Sequence, residues 1–217
     1  MRDEAYPPIS ARLLLEGYAS GIFPMAEGAN ASDIFWVDPK LRGVLPLDGL
    51  HVSRSLKKTV KKGGYKVRVN TRFNTVVAAC AHRDETWINR TIAELYNDLH
   101  RMGYAHSVEV WVDGEIAGGL YGVALGGAFF GESMFSRQPD MSKIALVHLV
   151  ARLREGGFTL LDTQFVTDHL ERMGAIEISR EAYSARLKEA IRRPAEFHRM
   201  ALDLEPHSVL QLSTQMS

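Results

Sequence analysis

The chain has 217 residues, 46% apolar and 24% charged, enough for one sizeable core or two small ones in a globular protein. Its formal net charge of zero excludes a general polyanion binder and leaves only a local nucleic-acid surface open. A single cysteine, Cys80, excludes an internal disulfide framework and points to a reducing compartment, the cytoplasm. It lies in Thr75–Ala81, an apolar stretch that suits a core thiol better than a nucleophile. Met1–Pro8 has no apolar core of a signal peptide. The uncharged run between Glu115 and Glu132 holds six glycines and is too short to span a bilayer as a helix, so no membrane partner is expected.

In chain order, Ser10 to Ala19 reads as an amphipathic helix with Ser10 as N-cap. Gly21–Ala26 turns the chain. Ile34–Pro39 and Val44–Leu47 are short extended segments. From His51 to Arg83 there are nine Lys or Arg and no Asp or Glu. Within that run Ser53 caps a helix in which Arg54, Lys57, Lys58 and Lys61 share one face while Leu56 and Val60 take another. Such a face is either merely solvated or a phosphate-binding surface. Tyr65–Asn70 alternates as a strand, and Thr71–His82 and Arg90–Met102 follow as helices.

His106–Val112, the two-residue turn Asp113-Gly114 and the strand from Glu115 form a hairpin, extended by Ala128–Phe135 after Gly126-Gly127 into a three-stranded meander. Ser142–Arg154 is a helix, Phe158–Gln164 a strand, Asp168–Met173 a short helix and Ala175–Ile178 a strand. Ser179 caps a helix to Ile191, and the tail reads as loosely structured. The fold class is α+β with a mixed, mostly antiparallel sheet: a small N-terminal lobe with the basic helix at residues 1–63, then a sheet domain at 64–217.

Two apolar runs deliver polar groups into a greasy setting: Ala128–Ser136 carries Glu132, and Leu160–Gln164 carries Asp162 and Gln164. Residues two apart on a strand face the same way, so Asp162 and Gln164 share a face, and Glu132 joins them if its strand is adjacent. Buried carboxylates mark functional sites, although a strand-end role in satisfying backbone groups accounts for Asp162 and Gln164 equally well. The eight histidines and one cysteine form no metal-binding spacing, no glycine-rich phosphate loop occurs, and Phe135 spoils a Gly-x-Ser-x-Gly elbow at Gly131–Phe135. Neither metal nor organic cofactor is expected.

These residues carry a resemblance. Phe129-x-Gly131-Glu132-Ser133-Met134-Phe135-Ser136-Arg137, Asp162-Thr163-Gln164 and His106–Trp111 resemble the leucyl/phenylalanyl-tRNA–protein transferase family. So do Gly21–Met25, Trp36-x-Asp38-Pro39, His51–Ser55 and Thr86-Trp87-Ile88, in the same order from about Leu14 to Tyr183. The resemblance implies that the sheet domain is GNAT-like. It also implies an enzyme that moves Leu or Phe, and in some members Met, from aminoacyl-tRNA onto a protein N-terminus bearing Arg or Lys, creating an N-degron. The catalytic pair it implies is Asp162 and Gln164. Glu132 also matches, and either Glu132 or Asp162 is expected to pair with the basic side chain of the acceptor. The implied donor slot is Leu120, Phe129, Leu146, Leu149 and Leu161. Some members carry Met or Phe where this chain has Leu120 and Leu149, which leaves the donor ranking open. Trp36, Trp87 and Tyr96 match aromatic positions that hold the terminal adenosine. Arg54, Lys57, Lys58, Lys61 and Lys62 would meet the RNA backbone. A monomer is expected. The rivals are an acyl-CoA N-acetyltransferase, disfavoured because Arg137–Ser142 lacks a glycine, and a non-catalytic RNA-binding module, which leaves Asp162-Thr163-Gln164 without a role.

Overall fold

The computed structural model describes residues 9–83, 85–201 and 206–214; the reading of Met1–Pro8 lies outside them. In chain order the elements are α1 (Ala11–Ser20), β1 (Phe23–Met25), β2 (Phe35–Val37), β3 (Leu41–Val44), α2 (Arg54–Lys62), β4 (Lys66–Val69), α3 (Phe73–Ala81) and α4 (Arg90–Arg101). Then come β5 (Ala105–Val112), β6 (Glu115–Leu125), β7 (Ala128–Ser136), α5 (Met141–Glu155), β8 (Leu160–Gln164), α6 (Asp168–Glu171), β9 (Ile176–Ser179), α7 (Arg180–Arg192) and α8 (Pro206–Thr214). Ser10, Ser53 and Ser179 cap their helices as expected, each hydroxyl accepting an N–H three residues on. Asp113 and Gly114 both have positive φ, the geometry that a two-residue hairpin turn demands.

A seven-stranded sheet in the order β4-β5-β6-β7-β8-β3-β9 forms the central layer, and β1 and β2 make a separate hairpin. All pairs in the large sheet are antiparallel except β7–β8, which is parallel. One core lies on the face covered by α5, with α2 and α8 behind it, and takes in Leu56, Val60, Leu120, Leu146, Leu149 and Leu161. The other lies under α1, α3, α4 and α7 and takes in Leu14, Tyr18, Tyr96, Tyr121 and Phe130.

Two expectations need correction. The tail was expected to be loose, yet α8 packs on α5 with Val209 fully buried, because its apolar positions close the end of the α5 core. The expected lobe boundary at residue 63 cuts through the sheet layer: β3 sits between β8 and β9, and α2 buries Leu56 and Val60 in the α5 core. Short strands such as β3 owe their place to long-range partners, which local patterning does not reveal. Cys80 is a buried core thiol whose pKa burial pushes up to about 12.

Candidate active site

The parallel pairing of β7 and β8 runs only from Ala128 opposite Leu160 to Phe130 opposite Asp162. Beyond that point a cleft of about 370 Å³ opens between Gly131–Met134 and Thr163–Phe165. Leu120, Leu146, Leu149 and Leu161, all from the α5 core, line one part of it, and Arg83, Trp87, Tyr121, Glu132 and Ser133 line another. Its volume falls in the range of small-molecule sites.

Gln164 ends β8 and has a φ of 57°, unusual for a residue with a Cβ. The Phe165 N–H returns to the Thr163 carbonyl at 2.6 Å, making a three-residue turn centred on Gln164. Gly43 of β3 faces this turn. A Cβ there would lie 2.7 Å from the Phe165 carbonyl carbon and 2.8 Å from Thr163 Oγ1, so only glycine lets β3 approach. The Gln164 N–H donates to Asp162 Oδ1 at 2.8 Å, and Gln164 Nε2 donates to Glu132 Oε1 at 3.0 Å. With its nitrogen committed to Glu132, the amide keeps its carbonyl oxygen available as an acceptor.

Asp162 is fully buried and is held from three sides. Arg42 Nε and Nη2 reach its two oxygens at 2.9 and 2.6 Å, and the Tyr183 hydroxyl donates to Oδ2 at 2.7 Å. Arg42, itself 1% exposed, donates its other terminal nitrogen to the Gly21 carbonyl and lies 4.5 Å from the centres of both the Phe23 and Tyr183 rings. Burial opposes the guanidinium charge, but the carboxylate outweighs it and raises the Arg42 pKa.

Glu132 closes a second network. The Tyr18 hydroxyl lies 2.7 Å from Oε1, the Tyr96 hydroxyl 2.6 Å from Oε2, and the two hydroxyls lie 2.8 Å apart. Oε1 accepts from Tyr18 and from Gln164 Nε2, and Oε2 accepts from Tyr96. Burial pushes Glu132 up to about 7 against the lowering effect of the two tyrosine hydrogen bonds. The buried tyrosines are themselves held above the usual phenol range by burial and by Glu132.

Of the expected residues, Glu132, Gln164, Trp87, Leu120, Leu146, Leu149 and Leu161 line the cleft. Asp162 does not, since its carboxylate is spent on Arg42, Tyr183 and a backbone N–H. Phe129 is buried deeper, stacked on Phe197 at 5.5 Å. Tyr96 is fully buried beneath Glu132 and presents no face to a base. Trp36, half-buried on β2, packs against Gly17 of α1. The Arg54, Lys57, Lys58, Lys61 and Lys62 side chains are exposed, line none of the site, and enter no ion pair among the described residues. Arg42, Tyr18 and Tyr183 were missed. Their signal was faint: one Arg inside Leu41–Val44 and tyrosines on the apolar faces of helices.

Beside the cleft runs a trough of about 700 Å³ that shares Arg83, Met134 and His169 with it. His82, Arg137, Ser136 and Ser142 also line the trough, and among the described residues no carboxylate does. Arg83 donates to Ser133 Oγ at 3.2 Å and to the Met134 carbonyl. Among the described residues no group of three or more His, Cys, Asp and Glu is arranged to hold a metal ion, and no helix is long and apolar enough to cross a membrane.

The site therefore sits in a mostly antiparallel sheet with one parallel pair, in a cleft of apolar and polar side chains that opens where that pair ends. The solved structure titled "Crystal structure of FemX" matches at a TM-score of 0.53 and 13% identity, over 80% of this chain and 68% of that one. Residues 44–188 match the family described as "Leucyl/phenylalanyl-tRNA protein transferase", and residues 8–40 match its N-terminal domain. The relative named "Leucyl/phenylalanyl-tRNA--protein transferase" from Ruegeria sp. is 56% identical over 209 residues, 96% of this chain and 99% of that one. A second of the same name, from Paramagnetospirillum magneticum, is 57% identical over 198 residues, 89% and 95% of the two chains. The chain belongs to the leucyl/phenylalanyl-tRNA–protein transferase family and is an aminoacyltransferase.

Proposed function

We propose that the enzyme transfers Leu or Phe, and Met in some measure, from aminoacyl-tRNA to the N-terminal Arg or Lys of proteins in the cytoplasm, forming a peptide bond that creates an N-degron. The observation that carries this reading is the cleft at the β7–β8 splay. It joins an apolar floor of leucines, suited to an aliphatic or aromatic donor side chain, to the amide of Gln164, held by Glu132 and Asp162.

The donor ester is already activated, and an α-amine with a pKa near ~8 is partly neutral at cytoplasmic pH, so holding the two reactants in line supplies much of the rate. The Gln164 carbonyl oxygen accepts one N–H of the attacking amine and aims its lone pair at the ester carbon. Gln164 has no useful basicity, so it orients rather than deprotonates. Asp162 acts through Gln164: neutralised by Arg42, it fixes the backbone N–H of the turn. That leaves Glu132 as the carboxylate bordering the cleft that is not committed to a cation. A cationic acceptor side chain arriving beside it lowers its pKa, the carboxyl proton passing to solvent, and the ion pair with the carboxylate selects Arg or Lys.

Trp87 at the cleft offers a face for the terminal base. The basic trough suits the nucleotides that follow, since its guanidinium groups favour phosphates and repel a cationic acceptor. The exposed face of α2 then meets the RNA backbone farther away.

The test is transfer of labelled Leu, Phe and Met from charged tRNA to a peptide beginning with Arg, beside an Ala-initiated peptide and an acetyl-CoA control. Transfer from tRNA to the Arg peptide alone is expected. Acetyl transfer without aminoacyl transfer would refute the reading.

A further inference from the structure

Five buried side-chain polar atoms among the described residues meet no hydrogen-bond partner. Three of them, Tyr121 Oη, Thr163 Oγ1 and His169 Nε2, belong to residues that line the cleft. Native proteins satisfy nearly all buried polar groups, so three orphans around one cavity are groups kept for something other than stability.

Tyr121 is the most costly of the three. It is fully buried on β6, opposite Ser133 of β7 and edge-on to Tyr96 with ring centres 5.2 Å apart. A phenylalanine would fill the same space without leaving a hydroxyl unpaired. Burial and the nearby Glu132 raise its pKa well above the usual phenol range, so the hydroxyl stays protonated and is a donor at any physiological pH. His169 is shared with the trough and Thr163 Oγ1 lies under Gly43, which leaves Tyr121 on the same wall as Glu132 and Ser133.

Aminoacyl transfer needs a donor of this kind. The amine lone pair forms the new C–N bond while the π electrons of the ester carbonyl move onto its oxygen. On collapse the bond from carbon to the ribose oxygen breaks, and the proton lost by the amine ends on that ribose oxygen. The carbonyl oxygen is negative only in between, and no group described so far meets it. We propose that Tyr121 is a catalytic residue whose hydroxyl donates a hydrogen bond to the donor's ester carbonyl oxygen as that oxygen becomes an oxyanion. The hydroxyl never changes its ionisation, so the proton balance closes without it. In a low-dielectric site a neutral donor aimed at a transient charge acts mainly on the transition state. The inference rests on the aminoacyl-transfer reading.

The test is Tyr121→Phe in the full chain, with kcat and KM for Leu-tRNA, thermal unfolding, and wild type run in parallel. The expected result is a kcat lowered about 100-fold, the usual loss for one oxyanion donor, with KM within about twofold and a Tm equal to or above that of wild type. A kcat within about threefold of wild type would overturn the proposal. So would a lowered Tm, which would mean that the hydroxyl has a structural partner, or a loss confined to KM. If wild type itself moves no Leu from tRNA, the functional reading fails, and this shows in the control rather than in the variant.

Discussion

Arg42→Met tests the idea that the geometry of the site hangs on a buried ion pair. Arg42 and Asp162 are 1% and 0% exposed and meet through two nitrogens and both carboxylate oxygens. Methionine keeps an unbranched side chain between the Phe23 and Tyr183 rings but leaves the carboxylate with only the Tyr183 hydroxyl and one backbone N–H. Breaking a buried pair by removing one partner costs about 3–5 kcal/mol. For a chain of 217 residues each kcal/mol is worth about 2–4 °C, so Tm should fall by roughly 6–20 °C. The double variant Arg42→Met/Asp162→Asn removes both charges, while the oxygen of the introduced amide still accepts the Gln164 N–H. It should recover at least about half of that loss, since the uncompensated charge is gone. The assay is thermal and denaturant unfolding of wild type, both single variants and the double, with kcat measured alongside. In Arg42→Met kcat should fall on the order of 100-fold, because the Gln164 turn loses its anchor. A Tm loss below about 2 °C, or a double variant as unstable as the sum of the singles, would refute the reasoning.

Three further outcomes are expected. Gly43→Ala puts a methyl against the backbone of the Gln164 turn, so kcat should drop on the order of 100-fold while the protein stays folded; unchanged turnover would show that the turn has room to move. Glu132 has its folded pKa raised from 4.5 to about 7, so its contribution to stability is complete below pH 4.5 and is lost as pH rises towards and through about 7. Glu132→Gln imitates the neutral acid, so the Tm difference between variant and wild type should grow in the variant's favour from pH 5 to pH 8. The same variant should lose the preference for an Arg over an Ala acceptor; a parallel pH dependence, or an unaltered preference, tells against the assigned role. Arg137→Ala in the basic trough should raise KM for aminoacyl-tRNA about fivefold, the worth of one exposed ion pair, and leave aminoacyl-adenosine unaffected. Equal effects on both donors would place the phosphates elsewhere.

Most elements were legible because their signals are local. Ser10, Ser53 and Ser179 announce helix starts, Asp113-Gly114 announces a hairpin, and Gly126-Gly127 returns the chain into β7. The chemistry of Glu132, Asp162 and Gln164 stood out as polar groups in apolar runs, and the family likeness tied them together. What the sequence by itself determined was the set of elements, their class and the residues with chemical potential. Which of those residues meet was decided by tertiary structure, because a carboxylate's role depends on its partners. Strand alternation alone would put Asp162 and Gln164 on one face, yet the left-handed turn at Gln164 carries its amide into the cleft, where Glu132 holds it from the next strand, while Arg42, 120 positions earlier, takes up the acid. Tyr18 reads as a helix-core residue and Tyr96 as a position for the terminal adenosine, and only the packing of α1 and α4 over β7 joins their hydroxyls to Glu132 while burying it enough to raise its pKa. The cleft itself is a product of register: β7 and β8 pair as far as Phe130 and Asp162 and then separate, and no local pattern encodes where a parallel pair of distant strands will part.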